Sequence, residues 1–115
     1  MDIPQESLLL RIFIGESDRH EGKPLHEAIV LKARECHLAG ATVIRGAMGF
    51  GRSSRIHTSK ILRLSYDLPI VVEIVDAEDK IHAFLPILDV MVDGGLVTLE
   101  KARVVLYRTA KKRAP

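Results

Sequence analysis

The stretch "PIVVEIVD", residues 69–76, decides the fold. It is dense in β-branched residues, and alternation places Ile70, Val72 and Ile74 on one face of a strand with Val71, Glu73 and Val75 on the other. A helix is expected directly after it. Asp76 is placed to cap that helix, and Glu78 and Asp79 fall in its first turn, where they complement the dipole. Ile81, Phe84, Leu85, Leu88 and Met91 or Val92 then form one apolar stripe. Pro86 sits inside the stripe and crowds the carbonyl of His82, which predicts a kink or a shortened first half. Gly94 and Gly95 end the helix, and "LVTLEKARVVLYR", residues 96–108, reads as the last strand.

The same strand–helix–strand order stands in front of this unit. "SLLLRIFIG", residues 7–15, is a strand, followed by the polar loop "GESDRHEG". Pro24 suits the start of a helix, because its missing N–H costs nothing in the first turn. Leu25, Ala28, Ile29, Ala33 and Cys36 recur at helical spacing, and Gly40 supplies a stop. "ATVIRGAMGFG", residues 41–51, reads as the second strand, and "ILRLSYD", residues 61–67, alternates and is expected to pair back against it. Joined by right-handed crossovers, these elements give an α+β fold. It is the ferredoxin-like βαββαβ sandwich, a four-stranded antiparallel sheet with two helices on one face.

A chain of 115 residues supports one core, so residues 1–115 are expected to form a single domain, with a mobile loop at about 52–61 and a flexible tail at about 110–115. The net charge of +2 carries no nucleic-acid signal, and the terminal "KKRAP" supplies much of it. With one cysteine, Cys36, no internal disulfide or cysteine-based zinc cluster can form, and the reading is of a cytoplasmic protein. "MDIPQES" lacks a basic region and no apolar run reaches spanning length, so neither a signal peptide nor a membrane helix is expected.

Two helices can cover only one sheet face. The other carries Leu9, Arg11 and Phe13 from the first strand and Val71, Glu73 and Val75 from the third. Arg11 and Glu73 could pair, but the rest is an apolar patch that soluble proteins rarely leave wet, so an oligomer built on this face is expected.

"GAMGFGRSSRIHTSK", residues 46–60, breaks the strand pattern with three glycines and turns basic. Two readings stand beside each other. Glycine in a strand marks a bulge or a close-packing point; a G-F-G-R turn can also aim backbone N–H groups and an arginine fork at an anion. Neither a Walker-type lysine motif nor dinucleotide-binding spacing is present. The histidines, His20, His26, His37, His57 and His82, show no ligand spacing, and Glu16, Asp18 and Glu21 read as a solvated loop. No catalytic set is found, so a non-enzymatic protein is expected.

Taken in order, "GATVIRGAMGFGR" (40–52), "DLPIVVEIVD" (67–76) and "DGGLVTLEKARVVLYRT" (93–109) resemble the PII-like signalling proteins, and within them a domain-of-unknown-function branch. The resemblance covers most of the chain. It implies the same ferredoxin-like fold, a homotrimer with its sheets inward, and an adenine nucleotide held in the cleft between two subunits. It also implies a loop that controls a partner such as a membrane transporter or other target protein, with no catalytic role and no required cofactor. Carried over by position, the nucleotide-binding residues would be Thr42, Gly49, Phe50, Gly51 and Arg52 on one wall, Asp93 and Gly94 in the second glycine turn, and Arg108 near the end of the last strand.

Three departures accompany the resemblance. One extra residue separates "TV" from "GFGR", the lysine of the D-G turn is Gly95, and the first of two terminal arginines is Leu106. Loss of two phosphate-binding cations, each worth on the order of 1 kcal/mol or more, implies that AMP or ADP is favoured over ATP unless a neighbouring subunit supplies an arginine such as Arg45 or Arg103. The alternative on the same scaffold is a divalent-metal-responsive trimer of the copper-tolerance type, which needs ligands clustered at one cleft.

Overall fold

The computed structural model describes residues 3–51, the backbone of residues 57 and 58, and residues 67–110. The chain opens with β1 (Glu6–Gly15), whose even-numbered residues Leu8, Leu10, Ile12 and Ile14 are all buried. The loop after it holds a two-residue hairpin, β2 (Arg19–His20) paired with β3 (Lys23–Pro24), that the polar sequence did not announce. Its turn places Glu21 at φ 49° and Gly22 at φ 80°, the pair of positive angles that a tight hairpin requires.

Helix α1 (Leu25–Glu35) starts directly after Pro24 and buries Leu25, Ala28, Ile29 and Ala33. It does not run on to Gly40. His37 takes φ 61°, its N–H donates to the Arg34 carbonyl (3.0 Å), and the N–H of Leu38 reaches back to Ala33 (3.0 Å). That is a Schellman ending with histidine in the place glycine usually fills. Cys36 is the last cap residue and packs half-buried against the core.

The expected second strand is shorter than its sequence pattern. Strand β4 (Thr42–Arg45) belongs to the main sheet, whereas β5 (Met48–Gly49) leaves it and pairs with β6 (His57–Thr58) in a separate ladder. The partner of β4 is β7 (Pro69–Asp76), with Thr42 opposite Glu73 and Arg45 opposite Ile70. Of the stretch 61–67 expected to pair with the second strand, residues 61–66 lie outside the described residues.

Helix α2 (Glu78–Met91) buries Ile81, Phe84, Leu88 and Met91, and runs through Pro86 without being shortened by it. Its cap is Ala77, with no side-chain cap bond, so Asp76 does not cap the helix. Strand β8 (Leu96–Arg103) ends five residues before Arg108, because residues beyond Arg103 leave the ladder after one bond, Val104 N–H to the Gln5 carbonyl (2.7 Å).

The four main strands lie in the order β4-β7-β1-β8 with every pairing antiparallel. Helices α1 and α2 share one face and close the core over Leu10, Ile12, Val72 and Ile74. Burial of each such side chain is worth about 1.5–3 kcal/mol, so this layer holds the sheet in shape at the positions that matter for the site.

Candidate functional site

At one end of the sheet the chain leaves β4 through Gly46, whose N–H donates to the Pro69 carbonyl (2.7 Å). A Cβ at Gly46 would lie 2.7 Å from Pro69 Cγ, and one at Gly49 would lie 3.0 Å from it. Gly46 is therefore required by close packing on Pro69, and Gly49 sits tightly against the same ring, whatever else the turn does. Phe50, next along, is 71% exposed, an unusual position for the largest apolar residue of the turn. Gly51 is exposed, and Arg52 lies outside the described residues, as does most of the expected loop.

Asp93 and Gly94 lie exposed between α2 and β8. The adjacent Gly95 has φ 151°, and a Cβ there would meet the Phe13 carbonyl oxygen at 2.6 Å. A lysine at Gly95 would be strained by both backbone angle and contact, which is the physical reason this position is a glycine here.

Both glycine turns sit at the same end of the sheet, since Gly46 and Gly49 pack on Pro69 and Gly95 on Phe13, while Gly15 pairs with Pro69. They occupy opposite edges. Three interstrand steps separate β4 from β8, about 14 Å at the usual spacing, with β7 and β1 between them. Within one chain the bases of the two turns are thus separated by two intervening strands.

Thr42 and Arg108 lie away from that end. Thr42 stands opposite Glu73 on the helix-free face, and Arg108 is exposed in the segment beyond β8. Thr42 lines an open cleft of about 760 Å³ on this face. Leu9, Glu73 and Val75 form its floor, residues 39–42 one wall, and residues 102–107 the other. The Tyr107 hydroxyl donates to the Ala39 carbonyl across it (3.1 Å). The lining is mainly apolar, with Thr42, Glu73, Arg103 and the Tyr107 hydroxyl as polar points.

Glu73 is held by Arg11, whose Nε lies 2.8 Å from Glu73 Oε2 while Nη1 lies 2.7 Å from Glu100 Oε1. The hydrogen bond to Glu73, opposed by some desolvation and aided by the charges of Glu100 and Glu73, raises the Arg11 guanidinium pKa. The pairing of Arg11 with Glu73 was legible from the sequence; the third member, Glu100, was not singled out. Tyr107 was also missed, because it stood inside an apolar run read as strand.

At the glycine end, Arg45 pairs with Glu16, the Asp18 carboxylate accepts from Gly15 N–H (2.9 Å), and Asp67 accepts from Ser17 N–H (2.9 Å). The acidic loop residues thus hold backbone and a strand-end arginine in place. Among the described residues no three of His, Cys, Asp and Glu come together as a metal site, and no helix is long and apolar enough to cross a membrane.

This layout defines a PII-like fold. A nitrogen regulatory PII-like protein, CPII from Thiomonas intermedia K12, solved bound to ADP, AMP and bicarbonate, superposes with a TM-score of 0.58 at 16% identity, covering 86% of this chain and 88% of that one. A DUF3240 family protein from Shewanella baltica OS155 gives 0.57 at 17% identity, covering 95% and 100%. At such identities the likeness is one of fold alone.

The chain belongs to the DUF190 family (Uncharacterized ACR, COG1993), which it matches over residues 7–104. A UPF0166 protein of Aquifex aeolicus is 42% identical over 97 residues, 84% of this chain and 91% of its own length. A UPF0166 protein of Methanocaldococcus jannaschii is 33% identical over 97 residues, 84% and 89% of the two chains. Arg108 falls beyond the matched range.

Proposed function

We propose that the protein is a trimeric, non-enzymatic PII-like regulator that binds an adenine nucleotide between subunits and controls a partner protein through the loop near residues 52–61. The observation that carries this reading is the placement of the two glycine turns at one end of the sheet on opposite edges. One chain cannot close a site with them, whereas the β4 edge of one subunit set against the β8 edge of the next can. Gly49, Phe50, Gly51 and Arg52 would then come from one subunit edge and Asp93 and Gly94 from the other, while Thr42 and Arg108, which the resemblance adds to the set, lie towards the opposite end of the sheet in each chain. The CPII neighbour, solved with ADP and AMP, supports the choice of ligand class.

AMP or ADP is favoured over ATP. In the family pattern Gly95 and Leu106 take the positions of two phosphate-binding cations, and the backbone at Gly95 resists a side chain. Light scattering should give a trimer, and calorimetry with AMP, ADP and ATP should rank the triphosphate weakest. Arg52→Ala should weaken binding without changing the oligomeric state, since it removes a phosphate contact. A wild-type monomer, or tightest binding of ATP, overturns the corresponding part of the reading; no binding of any nucleotide overturns the site.

A further inference from the structure

The register of the sheet sorts the helix-free face into rows, because residues opposite one another on neighbouring strands share a face. Nearest the glycine turns, Ile44 stands opposite Val71, Val71 opposite Phe13, and Phe13 opposite Leu96, a row with no polar side chain. The next row is Thr42, Glu73, Arg11 and Thr98, polar throughout, with Arg11 and Glu73 already paired. In the middle of the apolar row Phe13 and Val71 are half-buried, but at its two ends Ile44 is 46% and Leu96 56% exposed.

The first glycine turn extends this row. Pro69 precedes Val71 on β7 and alternation puts it on the same face, and it is the ring against which Gly46 and Gly49 pack. The chain therefore curls over the helix-free face at its glycine end. Within β5 the Cβ position of Gly49 faces Pro69, so alternation turns Met48 away from the sheet. Met48 is 62% exposed, and Phe50, on the far side of Gly49, is 71% exposed. Two large apolar side chains thus stand clear of their own chain beside the β4 end of the row, and Leu96 stands at the β8 end.

The two ends fit one another in a second copy. With antiparallel strands in the order β4-β7-β1-β8, the edge strands β4 and β8 run in opposite directions. The β8 edge of a second copy can therefore lie beside β4 with the glycine ends of both sheets on the same side, and the alternation of strand direction continues. That placement brings Leu96 of the partner subunit to the end of the sheet where Met48 and Phe50 stand. We propose that Met48 and Phe50 form an intersubunit anchor seated on Leu96 of the partner subunit. The anchor presupposes the proposed trimer and puts its strongest contact at the glycine end, where an aromatic side chain and two aliphatic ones lose water together. A contact between two different patches repeats from copy to copy and closes into a ring. It also ties the position of the first glycine turn to the neighbouring copy, so the wall that this turn forms is complete only in the assembly.

The test needs no nucleotide. It uses Phe50→Ser and Leu96→Thr, singly and together, with Val90→Ser as a control, since Val90 is 77% exposed on α2 in the helix layer. Sedimentation over a concentration series should show each single variant assembling about 10-fold or more weakly than wild type. The double variant should be no weaker than the worse single one, because the two changes remove one shared contact, and Val90→Ser should match wild type. On dissociated chains, the urea midpoint of Phe50→Ser should equal that of wild type, because the ring is largely exposed there. A lowered midpoint assigns Phe50 to its own chain's fold and overturns the anchor. Losses that add in the double variant, or an equal loss in Val90→Ser, overturn the pairing of Phe50 with Leu96. A monomeric wild type overturns the trimeric reading and the anchor with it, whereas a trimer that both single changes leave at full strength overturns the anchor alone.

Discussion

On the helix-covered face of the sheet, Leu10, Ile12, Val72 and Ile74 are at most 1% exposed; on the opposite face, their chain neighbours Leu9, Phe13, Val71 and Val75 are only half-buried. The residue types on the two faces are nearly the same. What differs is the middle of the open face, where Arg11 joins Glu73 and Glu100. A face destined for solvent would carry polar residues throughout. One with an apolar field around a single internally paired charge cluster is suited to meeting another protein surface, since its charges bring their own partners. One strand pattern thus serves intramolecular burial under the helices on one side, and on the other leaves an apolar face that the proposed assembly would cover.

Adjacent valines on β7 separate the two faces most directly. Val72 is fully buried under the helices, so Val72→Lys places an unpaired ammonium in the core and should cost about 3–5 kcal/mol, a large share of a small domain's stability. Urea unfolding measures it. Val71→Lys, one residue away and on the open face, should leave the free chain folded with a similar midpoint while dissociating the assembly, read by light scattering. Equal effects of the two substitutions on folding would refute the division of labour between the faces.

Alternation in β1 and β7, together with the helical stripe of α2, made the βαββαβ order and the core readable, because burial imposes a period that neighbouring residues cannot imitate. The ends of elements were less readable. Gly40 looked like a helix stop, but the helix closes earlier through a positive-φ histidine, His37. Asp76 looked like a cap, yet a residue 37 positions away, Ala39, competes for its carboxylate. Nothing local in the sequence encodes that competition. For the candidate site, the two glycine turns were legible, whereas the reason for Gly46 and Gly49 was contact with Pro69, which only the register of β4 on β7 reveals.

Gly94 and Gly95 differ in the same way where the chain passes from the helix layer into β8. Gly95→Ala forces a Cβ to 2.6 Å from the Phe13 carbonyl oxygen at φ 151° and should destabilise by about 1–3 kcal/mol. Gly94→Ala has nothing within 4 Å of its Cβ, and should be neutral or slightly stabilising, by up to about 1 kcal/mol, through a less flexible unfolded chain. Denaturant midpoints of the two variants, measured side by side, separate a glycine needed by the backbone from one that is not. If Gly95→Ala proves as stable as wild type, the departure from lysine there has no steric cause.

The smallest effect is expected from the charges that distinguish the open face. Glu100 has a 59% exposed side chain, so its pair with Arg11 is screened by water and salt, and Glu100→Gln in the dissociated chain should unfold at the wild-type midpoint within error. Arg11 has a raised pKa, so its charge is present throughout the neutral and acid range and is lost only as pH rises through that raised value, far above neutrality. The trio therefore gives the open face no switch of its own near neutral pH from the arginine side. In the assembly the outcome differs. If the open face is covered, Glu100→Gln leaves Arg11 with one carboxylate in a drier setting, and sedimentation should show a weaker assembly than wild type even though the isolated chain is unaffected. The same midpoint with the same assembly strength would mean that Glu100 stays in water, and that the covered area stops short of the β8 side of the sheet.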